Sequence, residues 1–207
     1  MRWLRRRAPA EQPEYLVVGL GNPGPEYAAT RHNVGFRVID ELAVRHGIRI
    51  RRHDRRSHVG CGRVAERVVC LVKPQTYMNL SGTAVAALCR EFGLGPEGVI
   101  VVTDDIDLPP GRLRIRARGS HGGHRGLENL FAMLRTNEIV RVRIGVGRPP
   151  PEEAVEYVLS PIPPADRPAI EAAIRRAADA VEAILAEGVE AAMNRYNAPA
   201  APCSAEP

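Results

Sequence analysis

Aromatic residues are scarce in this 207-residue chain, amounting to 4% of the sequence. Wholesale base stacking, which needs rows of exposed rings, is therefore excluded as the main mode of any nucleic-acid recognition. Cysteine is rarer still. Cys61, Cys70, Cys89 and Cys203 stand at wide, irregular spacings with no C-x-x-C pair, so neither a disulfide framework nor a zinc cluster is expected, and all four are read as small apolar residues. No apolar run approaches the roughly 20 residues that cross a bilayer. The start, MRWLRRRAPAEQPEY, is basic but lacks the apolar core of a secretory signal. The expectation is a cytoplasmic protein with no membrane part.

Lysine is almost absent: Lys73 is the only one among 29 basic residues. Acidic residues are unevenly spread, with residues 1–150 carrying a net charge of +11 and residues 151–207 a net charge of −6. A polyanion would bind the first of these parts. The remaining composition, 44% hydrophobic and 26% charged, is that of an ordinary globular protein.

Residues 1–13 read as a basic flexible arm, residues 14–196 as one folded domain, and the Ala/Pro-rich residues 197–207 as a disordered tail. Within the domain, apolar runs or alternation predict strands at 15–20, 57–64, 68–72, 98–103, 111–118 and 139–146. Helical spacing of apolar residues predicts helices at 34–46, 84–92, 124–135, 153–159, 165–186 and 189–195, several closed by a glycine. Interleaved strands and helices imply an α/β fold, a single-domain three-layer α/β/α sandwich with a mixed, mostly parallel central sheet.

Gly19-Leu-Gly21-Asn-Pro-Gly24 matches a dinucleotide fingerprint, but Pro23, Pro25 and a loop intervene before the next helix, so no helix N-terminus meets a pyrophosphate. No nucleotide cofactor is expected. The loop instead delivers Asn22, Tyr27, Arg31, His32 and Asn33 to the C-terminal end of the first strand, where open α/β sheets hold their sites. His32 lies just before a helix N-terminus, whose partial positive charge disfavours imidazolium and keeps the ring a base near neutral pH. A general-base His works best with a carboxylate on its other nitrogen, and Asp104, at the end of strand 98–103, emerges on the same sheet edge.

Asn79, in Thr76-Tyr77-Met78-Asn79-Leu80-Ser81-Gly82, brings a second amide to that edge, and with Asn22 it could grip a peptide or meet a developing oxyanion. Asp104, Asp105 and Asp107 lack the further carboxylates that would complete a divalent-cation shell. His121-Gly-Gly-His124 lacks a third ligand, so no metal is expected and the segment reads as a substrate-contacting loop. Without a Gly-x-Ser-x-Gly elbow or a Cys/His pair, no covalent nucleophile is indicated. Finally, Arg112, Arg114, Arg116 and Arg118 share one face of a strand, joined by Arg141 and Arg143 on another, and no acid falls between residues 111 and 127. Phosphate contacts suit that excess of positive charge.

Taken in order, VVGLGNPGPEY (17–27), TRHNVGF (30–36), KPQTYMNLSG (73–82), DDIDLPPG (104–111), GSHGGHRGL (119–127) and RIGVG (143–147) resemble the bacterial peptidyl-tRNA hydrolases, a likeness running from about Tyr15 to Tyr196. The resemblance implies cleavage of the ester between a peptide and the 3′ ribose of tRNA, with no metal or cofactor, peptidyl-tRNA as the partner through its acceptor stem and 3′ end, and a monomeric enzyme. It makes His32 the base that activates water, Asp104 its orienting carboxylate, and Asn22 the group that holds the substrate carbonyl region and separates peptidyl from free aminoacyl esters. Asn79, Tyr27 and Tyr77 would line the site, Met78 would pack beneath the histidine, and His124 would contact substrate. The family's HisAsnGly is here His124-Arg125-Gly126. Arg125 cannot accept a hydrogen bond from a peptide N–H, so a contact with the tRNA phosphate or 3′ end is expected there instead. A catalytically silent RNA-binding relative of the same fold is the alternative.

Overall fold

The computed structural model describes residues 11–198; the expectations for residues 1–10 and 199–207 lie outside them. A seven-stranded sheet is built from β1 (Tyr15–Gly19), β2 (Arg52–Asp54), β3 (Ser57–Val64), β4 (Arg67–Pro74), β5 (Val99–Asp105), β6 (Leu113–Arg116) and β7 (Val140–Gly145). Their order is β2-β3-β4-β1-β5-β7-β6. The central pairings β4·β1, β1·β5 and β5·β7 are parallel, and the outer pairings β2·β3, β3·β4 and β6·β7 are antiparallel. The mixed sheet is therefore parallel at its centre, where both faces are covered.

Among the described residues six α-helices accompany it: α1 (Val34–Arg45), α2 (Ser81–Phe92), α3 (Arg125–Leu134), α4 (Ala154–Leu159), α5 (Arg167–Glu187) and α6 (Val189–Tyr196). The period of two in the strands divides the core. Val17, Leu71, Ile100, Val142 and Ile144 pack with α1 and α5 in one cluster, while Leu16, Val18, Cys70, Val72 and Val101 pack with α2 and α3 in the other. The three layers follow from this alternation.

Several sequence expectations need correction. Cys61 and Cys70 are not unpaired apolar residues; they face each other across β3 and β4 and form a disulfide, while Cys89 is free and buried. Their register is set by a two-residue turn, Ala65–Glu66, with φ of 48° and 62°. That turn type favours Asn-Gly, so nothing in the local sequence announced it. The polar strand β2 was not predicted, because no apolar alternation marks it. The strand expected over 111–118 shrinks to β6, and α2 opens three residues early. Asn197 does not belong to a loose tail: its side chain accepts from Ile115 N and donates to Ile115 O, closing the free edge of β6.

What positions the functional edge of the sheet is a close approach between β1 and α1. A Cβ on Gly35 would lie 2.5 Å from Leu20 O and 2.6 Å from Val102 O, so only glycine lets the first turn of α1 rest on the ends of β1 and β5. Gly35→Ala is expected to cost about 2–3 kcal/mol and to lower Tm by roughly 5–10 °C through overpacking against backbone. Thermal unfolding checks this, and an unchanged Tm would mean that the helix does not bear on the strands as described.

Candidate active site

Beyond Gly19, the last residue of β1, the chain turns away, while β5 continues past its partner Val102 to Asp105. The space so opened at the C-terminal ends of β1, β4 and β5 is a cleft of about 380 Å³. Asn22, His32, Tyr77, Met78, Asn79, Asp104, His124 and Arg125 all line it, as expected from sequence. Tyr27 does not. It sits in a separate 3₁₀ turn, Pro25–Tyr27, outside the lining.

His32 lies in a second 3₁₀ turn, Arg31–Asn33, immediately before α1. Its Nδ1 is 2.9 Å from Asp104 Oδ1, with the carboxylate side chain 2% and the imidazole 12% exposed. An ionised carboxylate cannot donate, so Nδ1–H donates to it, and Nε2 is the ring nitrogen left with a lone pair. Burial alone would lower the His32 pKa, but the charge of Asp104 and its hydrogen bond outweigh burial and leave it raised above 6.5. The net shift is upward, opposite to the one expected from the helix N-terminus alone. The Asp104 carboxyl is buried, yet His32 and His124 hold it well below the usual carboxylate range.

Asn22 is held on three sides. Its N–H donates to Asn33 Oδ1 (2.8 Å), its C=O accepts from Asn33 Nδ2 (2.9 Å), and its Oδ1 accepts from Met78 N–H (2.8 Å). The last bond fixes the amide orientation, which leaves Nδ2 as a donor for a bound group. Asn33 stood in the loop read from sequence without a role; the structure gives it the clamping of Asn22. Met78 is buried at the cleft, and Asn79 and Tyr77 are exposed on its rim.

Arg31 is likewise internal. Its guanidinium lies 3.9 Å above the Tyr157 ring and donates to Ser160 Oγ (2.6 Å) and Pro161 O (3.1 Å), tying α4 to the histidine turn. Through that tie α4 contributes an apolar side to the cleft, with Ala154, Val155, Val158 and Leu159. Sequence periodicity gave α4 its helix but not its neighbour.

The six arginines read as one phosphate-binding set separate into different environments. Arg141 is 1% exposed, donates to Gly119 O (3.1 Å) and Ser120 O (2.9 Å), and lies 5.5 Å from the Phe131 ring centroid. It anchors the glycine loop from inside and, being buried, offers no surface to a phosphate. Burial, aided by Arg143 and Arg116, pulls its guanidinium down to about 10. Arg143 pairs with Asp105 at 2.7 Å, and Arg112 donates to the carbonyls of Asn197 and Ala198. Arg118 lies 4.0 Å from Glu138, leaving Arg114 and Arg116 as the members with neither an ion pair nor a side-chain hydrogen bond among the described residues.

His32, Asp104 and His124 also bring ligand atoms within 4.8 Å of one another, as a metal site would. Nδ1 of His124, however, accepts the Gly126 and Leu127 N–H groups, so the ring proton is on Nε2, the nitrogen facing Asp104. A protonated Nε2 has no lone pair to offer a metal.

Comparison with known proteins meets this geometry. The sequence profile of the peptidyl-tRNA hydrolases matches residues 16–204. The chain belongs to the peptidyl-tRNA hydrolase family. It is 51% identical over 186 residues to the peptidyl-tRNA hydrolase of Symbiobacterium thermophilum, covering 88% of this chain and 98% of that one, and 49% identical over 185 residues to that of Chloroflexus aggregans, with the same coverage. The crystal structure of the Acinetobacter baumannii peptidyl-tRNA hydrolase superposes with a TM-score of 0.85 at 35% identity, covering 91% of this chain and 97% of that one. A peptidyl-tRNA hydrolase crystallised with N-propanol gives 0.84 at 38% identity, covering 90% and 96%. The family's three-layer α/β architecture is thus the one found here, and no helix among the described residues is long and apolar enough to cross a membrane.

The electrostatics of the pair can be tested directly. By NMR, the His32 ring is expected to titrate above 6.5 in the wild type and below it in Asp104→Asn, where burial acts without the opposing charge. A ring titrating as high in the variant as in the wild type would remove Asp104 as the cause.

Proposed function

We propose that this chain hydrolyses the ester joining a peptide, or an N-blocked amino acid, to the 3′ ribose of tRNA, and so returns tRNA to translation in the cytoplasm. The observation that carries this reading is the His32 Nδ1 to Asp104 Oδ1 bond of 2.9 Å beside an amide donor whose orientation is fixed. Nε2 of His32 takes a proton from water as the oxygen attacks the ester carbonyl carbon, and the Asp104 carboxylate stabilises the imidazolium that forms. Asn22 Nδ2 donates to the carbonyl oxygen as it becomes an oxyanion. Collapse breaks the bond to the ribose 3′ oxygen, which recovers the proton from His32. The products are a peptide carboxylic acid and tRNA with a free 3′ hydroxyl. General-base assistance of this kind contributes about 10²–10⁴-fold.

Asn79 and Tyr77 would flank the substrate at the rim, while the apolar side offered by α4 suits side chains of the peptide. Arg125, exposed at the first turn of α3 and lining the cleft, would meet the phosphate or the 3′ end of tRNA. The acceptor stem would lie across the face of β6 and β7, where Arg114 stands opposite Arg143 and Arg116 opposite Arg141. Arg141 is buried and Arg143 is paired with Asp105, so Arg114 and Arg116 are the guanidinium groups of this face that would meet phosphate.

Two measurements test these assignments. Purified protein is expected to release peptide from an N-blocked aminoacyl-tRNA in the presence of a chelator, and His32→Ala to lose about 10²-fold or more of that rate. Retained tRNA binding without cleavage would favour a silent RNA-binding relative. Replacing both Arg114 and Arg116 by Gln is expected to raise KM and to flatten log K against log salt by about 1–2; an unchanged slope would take tRNA off this face.

A further inference from the structure

His124 is the one histidine in the cleft with both ring nitrogens engaged inside the protein. As the N-cap of α3, its Nδ1 accepts from Gly126 N (3.1 Å) and Leu127 N (3.3 Å). A backbone N–H can only donate, so this nitrogen carries the lone pair and the ring proton is on Nε2. That proton faces two acceptors, Thr103 Oγ1 at 2.7 Å and Asp104 Oδ1 at 3.1 Å. Asp104 Oδ1 is the same oxygen that receives His32 Nδ1–H, and the two imidazole centroids are 5.0 Å apart. One carboxylate oxygen therefore sits between two histidines, and the cap decides which way the second one donates. His124 lines the cleft but has no ring nitrogen left to hydrogen-bond a substrate.

We propose that His124 is a positioning residue: its capping of α3 fixes the Nε2–H tautomer, and that N–H pins the Asp104 carboxylate in place beside His32. The proposal rests on the assignment of His32 as the base. Two consequences follow chemically. The glycine loop and the start of α3 are tied to the catalytic pair through one ring, so loop geometry and base orientation are set together. The second donor also draws charge from the oxygen that serves His32, which moderates how tightly the imidazolium is held.

The other charged or titratable groups around the ring are few. From β5 and β7 come Asp105 and Arg143, which pair with each other; His121, Arg125 and Tyr77 complete the cleft. Arg31 is directed into the segment 157–161, Arg37 of α1 pairs with Glu171, and Glu156 of α4 is exposed.

The test compares wild type with His124→Asn. Asn caps helices well, through its side-chain oxygen, but is too short to reach Asp104 as well. The variant is expected to keep the wild-type Tm, to lose roughly tenfold in kcat with KM little changed, the rate equivalent of one hydrogen bond to a charged group, and to move the acid limb of kcat/KM up by about half a pH unit. The limb rises because Asp104, relieved of one donor, holds the His32 proton more tightly. On an Asp104→Asn background the same substitution is expected to add little. A raised KM with kcat and the limb unchanged would overturn the proposal in favour of direct substrate contact.

A nitrogen-15 NMR measurement on wild-type protein keeps the test independent of the variant's folding. A His124 ring protonated on Nε2 upholds the proposal, and one protonated on Nδ1 overturns it. Should the wild type cleave no ester, the functional reading fails by itself, while the His32 titration by NMR, moved up in His124→Asn or unmoved, still decides the positioning role.

Discussion

The site exists because one strand outruns its neighbour and a helix is allowed to settle on the gap. β5 continues through Asp104 and Asp105 after β1 has ended, and the chain leaving β1 returns as α1, with Gly35 against the backbone of Leu20 and Val102. Crossovers leave β1 toward β4 on one side and reach β5 on the other, so the crevice forms where the strand order reverses, as open α/β sheets dictate. The histidine turn just before α1 is thereby carried over the protruding carboxylate. A side chain at position 35 would lift that turn, and with it the base, away from Asp104.

Given that placement, the chemistry follows from a competition of modest terms. Burial disfavours a charged imidazole and a charged carboxylate alike, and each would be neutral if buried alone. Together, 2.9 Å apart, they favour the ion pair, raising His32 and lowering Asp104. A helix N-terminus opposes this, but its effect at a partly exposed end is typically under about 1 kcal/mol, less than a carboxylate in direct contact. The base is therefore tuned by its carboxylate, and the amide donor of Asn22 is oriented separately, through Asn33 and the Met78 N–H.

Much of this was legible in the residues. Apolar alternation and glycine stops located most elements, and the loop after β1 pointed to His32 and Asn22 because open sheets put their sites there. The resemblance in six ordered segments carried the substrate. What the sequence could not express was cover. Arg141 and Arg143 alternate identically, two residues apart on the same face of β7, yet Phe131 and the glycine loop close over the first while the second reaches the cleft. Period two assigns a face and says nothing of what packs against it. Likewise the Cys61–Cys70 pairing depends on a turn register that Ala65–Glu66 does not advertise. The second ring on Asp104 was hidden because the period that predicts a helix from residue 124 does not say that the His124 side chain, at its start, turns inward to cap it and face Asp104.

Charge segregation completes the relation between fold and substrate. The acidic C-terminal helices do not neutralise the arginine strands; α5 answers α1 on the opposite face, with Glu171 on Arg37 and Asp179 and Glu182 on Arg45. On the face of β6 and β7, the acid in contact with an arginine of the two facing pairs is Asp105, which takes Arg143. Arg114 and Arg116 thus keep their charge unanswered beside the cleft. Exposed ion pairs stabilise little, so leaving these two unpaired costs the fold little, while each phosphate they neutralise releases condensed counterions and draws a polyanion to the edge where the base waits.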